Sequence, residues 1–585
     1  MRLISFEKKK SIQDPKKNYI YLDYVKKNKN VFDLSDIKEI INKHYDKWLN
    51  EAQKIHEIIS EVSGNKNKFW WFTDSSRFIL WKTKANYNLN NYLYSKAILQ
   101  LIRDISVESK NDEFVIIGSN SMIINYIKKD PINDFNIKVS KKINIKNYFI
   151  KCIFTNILKS LLTAFSYWHI IKKNKIPNIV ENKSIIFSMA LNLNIINEKS
   201  DHFYGNILND ESFVWFYNDN PKNKNKIKQK FDESKKNFFF TLEYGSLFLI
   251  VKSLFLYWQF LFQIFKTKKI IEKKLEINFW KFFYNEFFSK KIINENIFYE
   301  IYLYNIYLKI IKSINLKKLV IPYEENGWQR AIIFAFKNKN IIKYGYAHAS
   351  HSQGHKFYFF KNDKLDFIRP NKLLVTGEIA KNKFIQIGYK ESDIFVLGSS
   401  KYHEIKDFKV PFKVRRPKIL FMCGVGLEII NFAKLLDKDS NLFNDFELVI
   451  RENPHSWKEE QSYAKKIFED KNIKYNVSNL SFKDDIITSK YILFETSTAG
   501  LEGILCGRLG LQINVTDNIY SNQFDDPKRE NLTYCINFKQ LHDKLNYFES
   551  LNKDDYLHIV NKQRSQVNML IENINYDTIK TLKEM

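Results

Sequence analysis

The length and composition of the chain exclude several classes of protein. Its 585 residues are too many for one ordinary domain and predict two large units with extensions. A hydrophobic content of 44% is enough to bury cores, and four cysteines are too few for a disulfide framework. Cys423 and Cys506 lie inside apolar runs, which predicts buried thiols. We therefore expect a folded protein of two or more domains.

The chain is strongly basic, because 93 lysines and arginines stand against 65 aspartates and glutamates, a formal net charge of +28. A basic surface can serve nucleic acid, anionic lipid or anionic sugars. The lysines are scattered, and no RNA-binding or zinc-finger signature accompanies them, so no nucleic-acid partner is expected. The charge then reflects either a lysine-rich composition or weak attraction to an anionic membrane surface.

Residues 1–105 predict a mostly helical N-terminal extension, and the first residues contain no apolar stretch typical of a signal peptide. We therefore expect a cytoplasmic protein. Residues 247–265 are long enough to span a membrane, but Lys252, Gln259 and Gln263 interrupt them. Three interpretations stay open: a buried core helix, an interfacial helix on the inner face of the plasma membrane, and a spanning helix.

A first α/β unit is predicted over residues 106–405. Strand-like runs occur at residues 114–120, 184–191 and 213–217, and a helical insertion is predicted around residues 238–315. From residue 317 the strand-like runs KKLVIPYEE, IIKYGYAHA, KLLVTG and DIFVLGS alternate with helix-like ones. Such alternation requires a parallel sheet that is covered on both faces.

A second unit is predicted over residues 412–585, after a basic, proline-bounded linker at residues 406–417. Five strand-like runs alternate with helices, namely KILFMCG, ELVIREN, IKYNVSN, YILFETS and LGLQINV. They make a complete doubly wound unit, in which ligands bind outside the carboxyl ends of the strands. The predicted fold class is therefore α/β of the GT-B type, with two Rossmann-like domains facing a cleft.

Two loops of the second unit contain residues suited to a phosphate. Gly424 and Gly426 follow its first strand and would let the backbone approach a phosphate, or they simply make a tight turn. Ile429 departs from the dinucleotide-binding fingerprint, which speaks against a dehydrogenase. Arg451 and His455 follow the second strand, where they could hold a leaving phosphate or lie solvated at the surface.

The loop after the fourth strand of this unit is the most informative. Ser497 and Thr498 stand at the N-terminus of a predicted helix, where their hydroxyls can cap the helix or donate to phosphate oxygens. Glu502, one turn further on, can accept from ribose hydroxyls, or it is stabilised by the helix dipole alone. We expect these three residues to bind the donor.

The first unit offers candidates for acid–base chemistry. Glu324 and Glu325 end a strand, and adjacent carboxylates raise the pKa of one of them, which suits a general base for a sugar hydroxyl. They could equally cap the helix that begins near Trp328. His348 and His351 follow the next strand as substrate contacts or as solvated residues. No cysteine lies nearby, so neither a metal nor another cofactor is expected.

The series YEENGWQRA, YGYAHASH, KLLVTGEIAKNKFIQIGY and DIFVLGSSKYH resembles bacterial surface-carbohydrate biosynthesis proteins linked to nonulosonic-acid-containing polysaccharides. The wider pattern over residues 317–515 is similar to bacterial sialyltransferases, polysialyltransferases and capsule Kdo transferases. Those enzymes pair an acidic-acidic-Gly motif, which supplies the base, with a His-Pro motif and a Ser/Thr motif that hold CMP. The resemblance implies an inverting, metal-independent glycosyltransferase with a nucleotide-sugar donor, CMP-linked, and a surface polysaccharide or lipid-linked glycan as acceptor.

By position, the resemblance makes Glu324 or Glu325 the base and Ser497 and Thr498 the phosphate-binding hydroxyls. It also places Arg330, of a Trp-x-Arg helix, in the cleft. Two alternatives to glycosyl transfer stay open: transfer of a polyol phosphate, as in teichoic-acid polymerases, and a non-catalytic scaffold in a polysaccharide assembly complex.

The chain departs from the pattern of those enzymes at three places. Asn326 precedes the glycine of the acidic motif, so the choice of base is open. The His-Pro position has the sequence Asn-Pro-His, so His455 would have to replace the expected histidine. Lys401 precedes the cleft candidate Tyr402 where the pattern has arginine.

Overall fold

A computed structural model describes much of the chain, and the structural statements below concern those residues alone. They are residues 17–21, 31–32, 34–69, 96–101, 104, 113–117, 158, 161–162, 164–165, 183–188, 204, 213–218, 237–275, 297–312, 316–324, 326–348, 367–386, 388–399, 418–424, 428–436, 446–453, 458–495, 497–513, 534–535 and 538–584. The predicted linker at residues 406–417 lies outside them.

The N-terminal part of the chain forms a small parallel sheet with the strand order β2-β1-β3. Its strands are β1 (Lys17–Tyr21), β2 (Val31–Phe32) and β3 (Glu113–Ile117), and helix α1 (Leu34–Lys66) follows β2. The strand predicted at residues 114–120 is present, but it pairs with β1 and not with the sheet of the first unit. The paired strands β1 and β3 therefore lie on opposite sides of the domain boundary predicted at residue 105.

The first unit is built on a seven-stranded sheet in which every described pair is parallel. Its strands are β4 (Lys183–Ser188), β5 (Phe213–Tyr217), β6 (Asn237–Phe240), β7 (Leu316–Pro322), β8 (Ile342–Ala347), β9 (Lys372–Val375) and β10 (Ile394–Val396). They lie in the order β10-β9-β8-β7-β4-β5-β6. The chain therefore builds outwards in one direction from β4 and in the other from β7, as in a Rossmann sheet.

Four described helices accompany this sheet: α2 (Leu247–Leu275), α3 (Ile297–Lys312), α4 (Gly327–Ala335) and α5 (Glu378–Gln386). The first two lie in the predicted insertion. The α3 helix is buried over most of its surface between α2 and α4. Among the residues that the structure describes, no helix combines the length and the apolar character needed to cross a membrane.

The second unit is a six-stranded parallel sheet. Its strands are β11 (Lys418–Met422), β12 (Glu447–Arg451), β13 (Asn476–Val477), β14 (Tyr491–Phe494), β15 (Leu509–Ile513) and β16 (Tyr534–Cys535). The order β13-β12-β11-β14-β15-β16 is that of a Rossmann sheet. All five predicted strands are present, and the predicted α/β class is confirmed.

Seven described helices follow in this half of the chain: α6 (Glu428–Leu435), α7 (Lys458–Asp470), α8 (Phe482–Thr488), α9 (Thr498–Leu505), α10 (Phe538–Ser550), α11 (Lys553–Leu570) and α12 (Tyr576–Glu584). The α11 helix belongs to the second unit, since the Gln563 side chain accepts from Gly510 N at 2.8 Å and donates to Gly510 O at 3.1 Å.

After α11 the chain crosses back to the first unit. Glu572 N donates to Thr376 O at 2.7 Å, next to the end of β9. Helix α12 then packs against the seven-stranded sheet, where Lys318 Nζ donates to Leu582 O at 2.7 Å. Within residues 412–585, predicted as one unit, the six-stranded sheet and α11 pack together, whereas α12 packs on the sheet of the first unit.

Candidate functional site

Each of the two large sheets has a topological switch point, where neighbouring strands lead the chain in opposite directions. These points lie between β4 and β7 and between β11 and β14. Ligands bind outside the carboxyl ends of the strands at such points. Glu324 follows β7, Gly424 follows β11 and Ser497 follows β14. Three of the predicted loops therefore stand at switch points.

The carboxyl edge of the first sheet faces the second unit. Ile379, in the first turn of α5 after β9, packs against an apolar cluster of the second unit that contains Leu501 and Leu570. Neighbouring strands lie about 4.8 Å apart, so β7 is about 10 Å from β9 along this edge. Glu324 consequently lies on the same edge, which contacts the second unit.

Glu324 and His348 end the neighbouring strands β7 and β8, and their side chains meet. His348 Nε2 lies 3.5 Å from Glu324 Oε1, and the side chains are 17% and 37% exposed, respectively. A partly exposed carboxylate can reach a substrate hydroxyl, and an imidazole beside it can stabilise the charge or relay the proton. The structure thus brings together two residues that the sequence predicted separately.

The backbone around Glu324 is held by Gln329, which the sequence analysis did not single out. The buried Gln329 Oε1 accepts from Glu324 N at 2.8 Å and from Asn326 N at 2.9 Å. Asn326 is the N-cap of α4, so the residue that interrupts the acidic-acidic-Gly pattern begins the helix. The spacing Asn-x-x-Gln is a capping-box signal that could have found this contact. The Glu324 carboxylate is therefore not the cap of α4.

Arg330 occupies a different environment from the one predicted. It lies on α4 and is 3% exposed, among residues of that helix that are all buried. The structure does not present it at the surface of the cleft.

Gly424 does not offer its backbone N–H to a ligand in this structure. That N–H donates to Glu428 Oε2 at 2.6 Å, and a Cβ at residue 424 would lie 2.3 Å from Glu428 Oε1. Gly424 therefore lies close against the buried carboxylate of Glu428, which stands at the N-terminus of α6 where an anion is favoured. The N–H group of Gly424 is therefore taken by the chain's own side chain, and the phosphate site predicted in this loop stays a prediction.

Arg451 is engaged in an ion pair within the second unit. Its Nη1 donates to Asp485 Oδ2 at 2.6 Å and to Leu480 O at 3.0 Å, and Asp485 is 2% exposed. Ser478 Oγ donates to the same carboxylate. Arg451 therefore neutralises a buried carboxylate in this structure, and its predicted contact with a phosphate stays a prediction.

The loop before α9 keeps the features that the sequence predicted. Ser497 is the N-cap, but its hydroxyl makes no capping hydrogen bond, and Thr498 is half-buried. Gln512 Nε2 donates to Glu495 O at 2.7 Å and fixes the loop. A Cβ at Gly500 would lie 2.1 Å from Phe494 Cγ, so only glycine lets α9 approach β14 this closely. Ser497 is 9% exposed, and hydroxyls beside the N–H groups of a helix N-terminus are groups that can bind an anion.

Glu502 is 8% exposed, which restricts the predicted contact with a ribose. Its charge acts on Cys506, whose pKa is raised to about 12 by burial and then by Glu502. Burial also raises the pKa of Cys423 well above its usual value, with Glu428 and Glu452 contributing. Both cysteines are buried thiols, as predicted.

Five predicted residues lie outside the described part of the chain and stay predictions: Glu325, His351, Tyr402, Gly426 and His455. Among the residues that are described, no group of three or more histidine, cysteine, aspartate or glutamate side chains is arranged to hold a metal ion.

The chain contains two Rossmann sheets, and the carboxyl edge of the first contacts the second unit through Ile379. This is the two-domain GT-B plan. No family model matches the chain, and no curated protein matches it.

The chain is similar to several solved structures. Anabaena Alr3699/HepE in complex with UDP and glucose is 10% identical, with 69% of this chain and 100% of that chain covered and a TM-score of 0.39. A glycosyltransferase from Rickettsia africae ESF-5 is 14% identical, with 69% and 99% covered and a TM-score of 0.40. UDP-GlcNAc 2-epimerase from Neisseria meningitidis, bound to UDP-GlcNAc, is 10% identical, with 69% and 100% covered and a TM-score of 0.35. At these identities the likeness concerns the fold alone.

Proposed function

We propose that the chain is a glycosyltransferase that moves a sugar from a nucleotide donor to a glycan acceptor. One observation carries this proposal: Glu324 and Ser497 each follow a strand at the switch point of their own sheet. Glu324 lies beside His348 on an edge that contacts the second unit, and Ser497 begins α9. A base on one side of a cleft and an anion site on the other suit transfer between an acceptor hydroxyl and a sugar phosphate.

In the proposed reaction Glu324 takes the proton of the acceptor hydroxyl. The hydroxyl oxygen forms a bond to the anomeric carbon while the bond from that carbon to the donor phosphate oxygen breaks, which inverts the configuration. Ser497, Thr498 and the first N–H groups of α9 stabilise the charge that develops on the leaving phosphate. His348 stabilises or shares the proton on the carboxylate.

The finer assignment follows the resemblance described for residues 317–515. It makes the donor a CMP-linked nonulosonic acid and the acceptor a surface polysaccharide or lipid-linked glycan at the inner face of the plasma membrane. The basic composition of the chain supports peripheral contact with anionic lipid there. Glu325 and His455 are the further candidates for the base and for a phosphate contact.

A thermal-shift screen of CMP, UDP, GDP and dTDP tests the proposal. A nucleotide at about 100 times its dissociation constant stabilises the folded state by about 2.7 kcal/mol and raises the melting temperature. We expect one nucleotide to give this shift, and Ser497→Ala with Thr498→Ala to reduce it because the phosphate contacts are lost. No response to any nucleotide would contradict donor binding.

Product analysis separates the proposal from its alternatives. A glycosidic bond of inverted configuration is the expected product. A phosphodiester in the product would identify polyol-phosphate transfer instead. Unchanged glycan output with Glu324→Gln and also with Glu325→Gln would favour a scaffold.

A further inference from the structure

Helix α2 has one face that is fixed inside the first unit. This face packs on α1 and α3 and includes the buried Tyr257 and Phe260. Asn305 Nδ2 of α3 donates to Ser253 Oγ at 2.9 Å. Because a buried polar contact tolerates little rotation, it fixes which side of α2 faces outwards.

The opposite face of α2 is apolar and exposed. It consists of five residues at alternating spacings of three and four, hereafter the apolar stripe: Phe248, Val251, Phe255, Trp258 and Phe262. Their exposed fractions lie between 48% for Trp258 and 73% for Phe248. Because an α-helix rises by about 1.5 Å per residue, the stripe is about 21 Å long. A continuous exposed apolar surface of this kind marks an interaction site.

Positive charge surrounds the apolar stripe. Residues 247–271 contain four lysines and no aspartate or glutamate. Lys252 and Lys266 are exposed, and Lys266 Nζ lies 4.2 Å from the centre of the Phe262 ring. Beyond α2, Lys68 and Lys337 both lie over the ring of Phe334, at 5.6 and 4.5 Å.

Lys68 and Lys337 thus form a second basic cluster against α3 and α4. The pKa of Lys68 is lowered by burial and then by the nearby charges of Lys337 and Lys252, so these three lysines are within electrostatic reach of one another.

These charges decide which partner fits the stripe. A second copy of this chain would bring two lysine-flanked helices together, which like charges oppose. An anionic bilayer accepts aromatic rings at the level of the headgroups, while lysine side chains extend to the phosphates. We propose that α2 lies in the interface of an anionic membrane, with the apolar stripe inserted and Lys252 and Lys266 on lipid phosphates.

This inference identifies the surface for the peripheral association named under the proposed function, and it does not rest on sugar transfer. A chain that fails to respond to any nucleotide could still bind vesicles, and a transferase could fail to bind them. The experiment below contains no nucleotide, so the two proposals fail independently.

Flotation with vesicles tests the stripe. We expect the full chain to float with vesicles of phosphatidylcholine and phosphatidylglycerol and to float less with phosphatidylcholine alone. The triple change Phe248→Ser, Phe255→Ser and Phe262→Ser should weaken partitioning by at least ~100-fold, since three rings leave the bilayer. All three side chains are exposed, so the melting temperature should stay unchanged.

A matched control removes equally exposed rings elsewhere. Tyr463, Tyr547 and Tyr576 are 52%, 45% and 73% exposed and lie on α7, α10 and α12. Changing all three to serine should leave vesicle binding as it is. A comparable loss of binding in this control would overturn the assignment to α2.

The lysines and Trp258 give two further measurements. Lys252→Gln with Lys266→Gln should weaken binding to anionic vesicles by roughly 30-fold, from about 1 kcal/mol per lysine, and flatten its salt dependence. Brominated lipids should quench the emission of Trp258, and Trp258→Phe should keep binding but lose that quenching. Quenching that persists unchanged in Trp258→Phe would overturn insertion of the stripe.

Two other outcomes also overturn the proposal. Vesicle binding that survives the triple serine change would place the contact elsewhere, for instance on the exposed apolar residues Leu158, Leu161, Leu162 and Phe165. A lipid-free dimer that the triple change converts to a monomer would show that a second copy covers the stripe.

Discussion

The role of Arg451 can be decided by removing its charge. In Arg451→Met the aliphatic side chain keeps its contact with the Phe482 ring, over which the guanidinium lies at 5.6 Å. Asp485 then loses its charged partner while it stays 2% exposed. We expect the variant to be less stable and to bind nucleotide with unchanged affinity, because Arg451 is turned towards α8.

The magnitude follows from the burial of the two partners. Breaking a buried ion pair costs about 3–5 kcal/mol when the remaining charge is uncompensated. Here Arg451 is 30% exposed and Ser478 Oγ still donates to the carboxylate, so we expect a loss of about 2–3 kcal/mol, below that range. Adding Asp485→Asn removes the stranded charge and should restore at least half of the loss.

Urea unfolding of the full chain measures the stability, and calorimetric titration measures the affinity for whichever nucleotide gives a thermal shift. Lys465→Met is the matched control, since Lys465 and Glu469 form an exposed pair at 3.8 Å that should contribute less than about 0.5 kcal/mol. If Arg451→Met keeps its stability and weakens nucleotide binding tenfold or more, Arg451 is a phosphate ligand and the structural interpretation is refuted.

Three further outcomes are expected. Glu324→Gln should lower turnover roughly 10²–10⁴-fold, while calorimetry should show unchanged donor affinity, because the backbone contacts to Gln329 keep the loop in place. Loss of nucleotide binding in this variant would contradict the assignment of Glu324 as a base on the acceptor side. Gly500→Ala should cost about 1–3 kcal/mol in urea unfolding, since its Cβ would meet Phe494, and an unchanged midpoint would contradict the close packing of α9. Cys506, with a pKa raised from 9.0 to about 12, should resist alkylation in the folded chain, and rapid alkylation at neutral pH would contradict its burial. Because the thiol of the unfolded chain ionises at a lower pH than that of the folded chain, the contribution of Cys506 to stability should decline as the pH rises above about 9.

The candidate site was predictable where it depends on chain neighbours. Ser497 and Thr498 directly follow a buried strand and precede a helix, so their place at a carboxyl edge follows from the local pattern. Glu324 is placed by the same reasoning. Its contact with His348 needed the pairing of β7 with β8, which no local pattern contains. The contacts of Gly424 with Glu428 and of Arg451 with Asp485 were not predictable in the same way, because the sequence does not show which acceptor a donor will meet.

The sequence alone determined that the chain is α/β with two doubly wound units, because buried parallel strands require continuous apolar runs and these are local features. The tertiary structure decided which distant elements meet. It paired β3 with β1, returned α12 to the first unit and turned the apolar stripe of α2 outwards. The sequence shows that α2 is apolar on more than one face. Only the packing of α1 and α3 against one side of the helix decides which of these faces is buried.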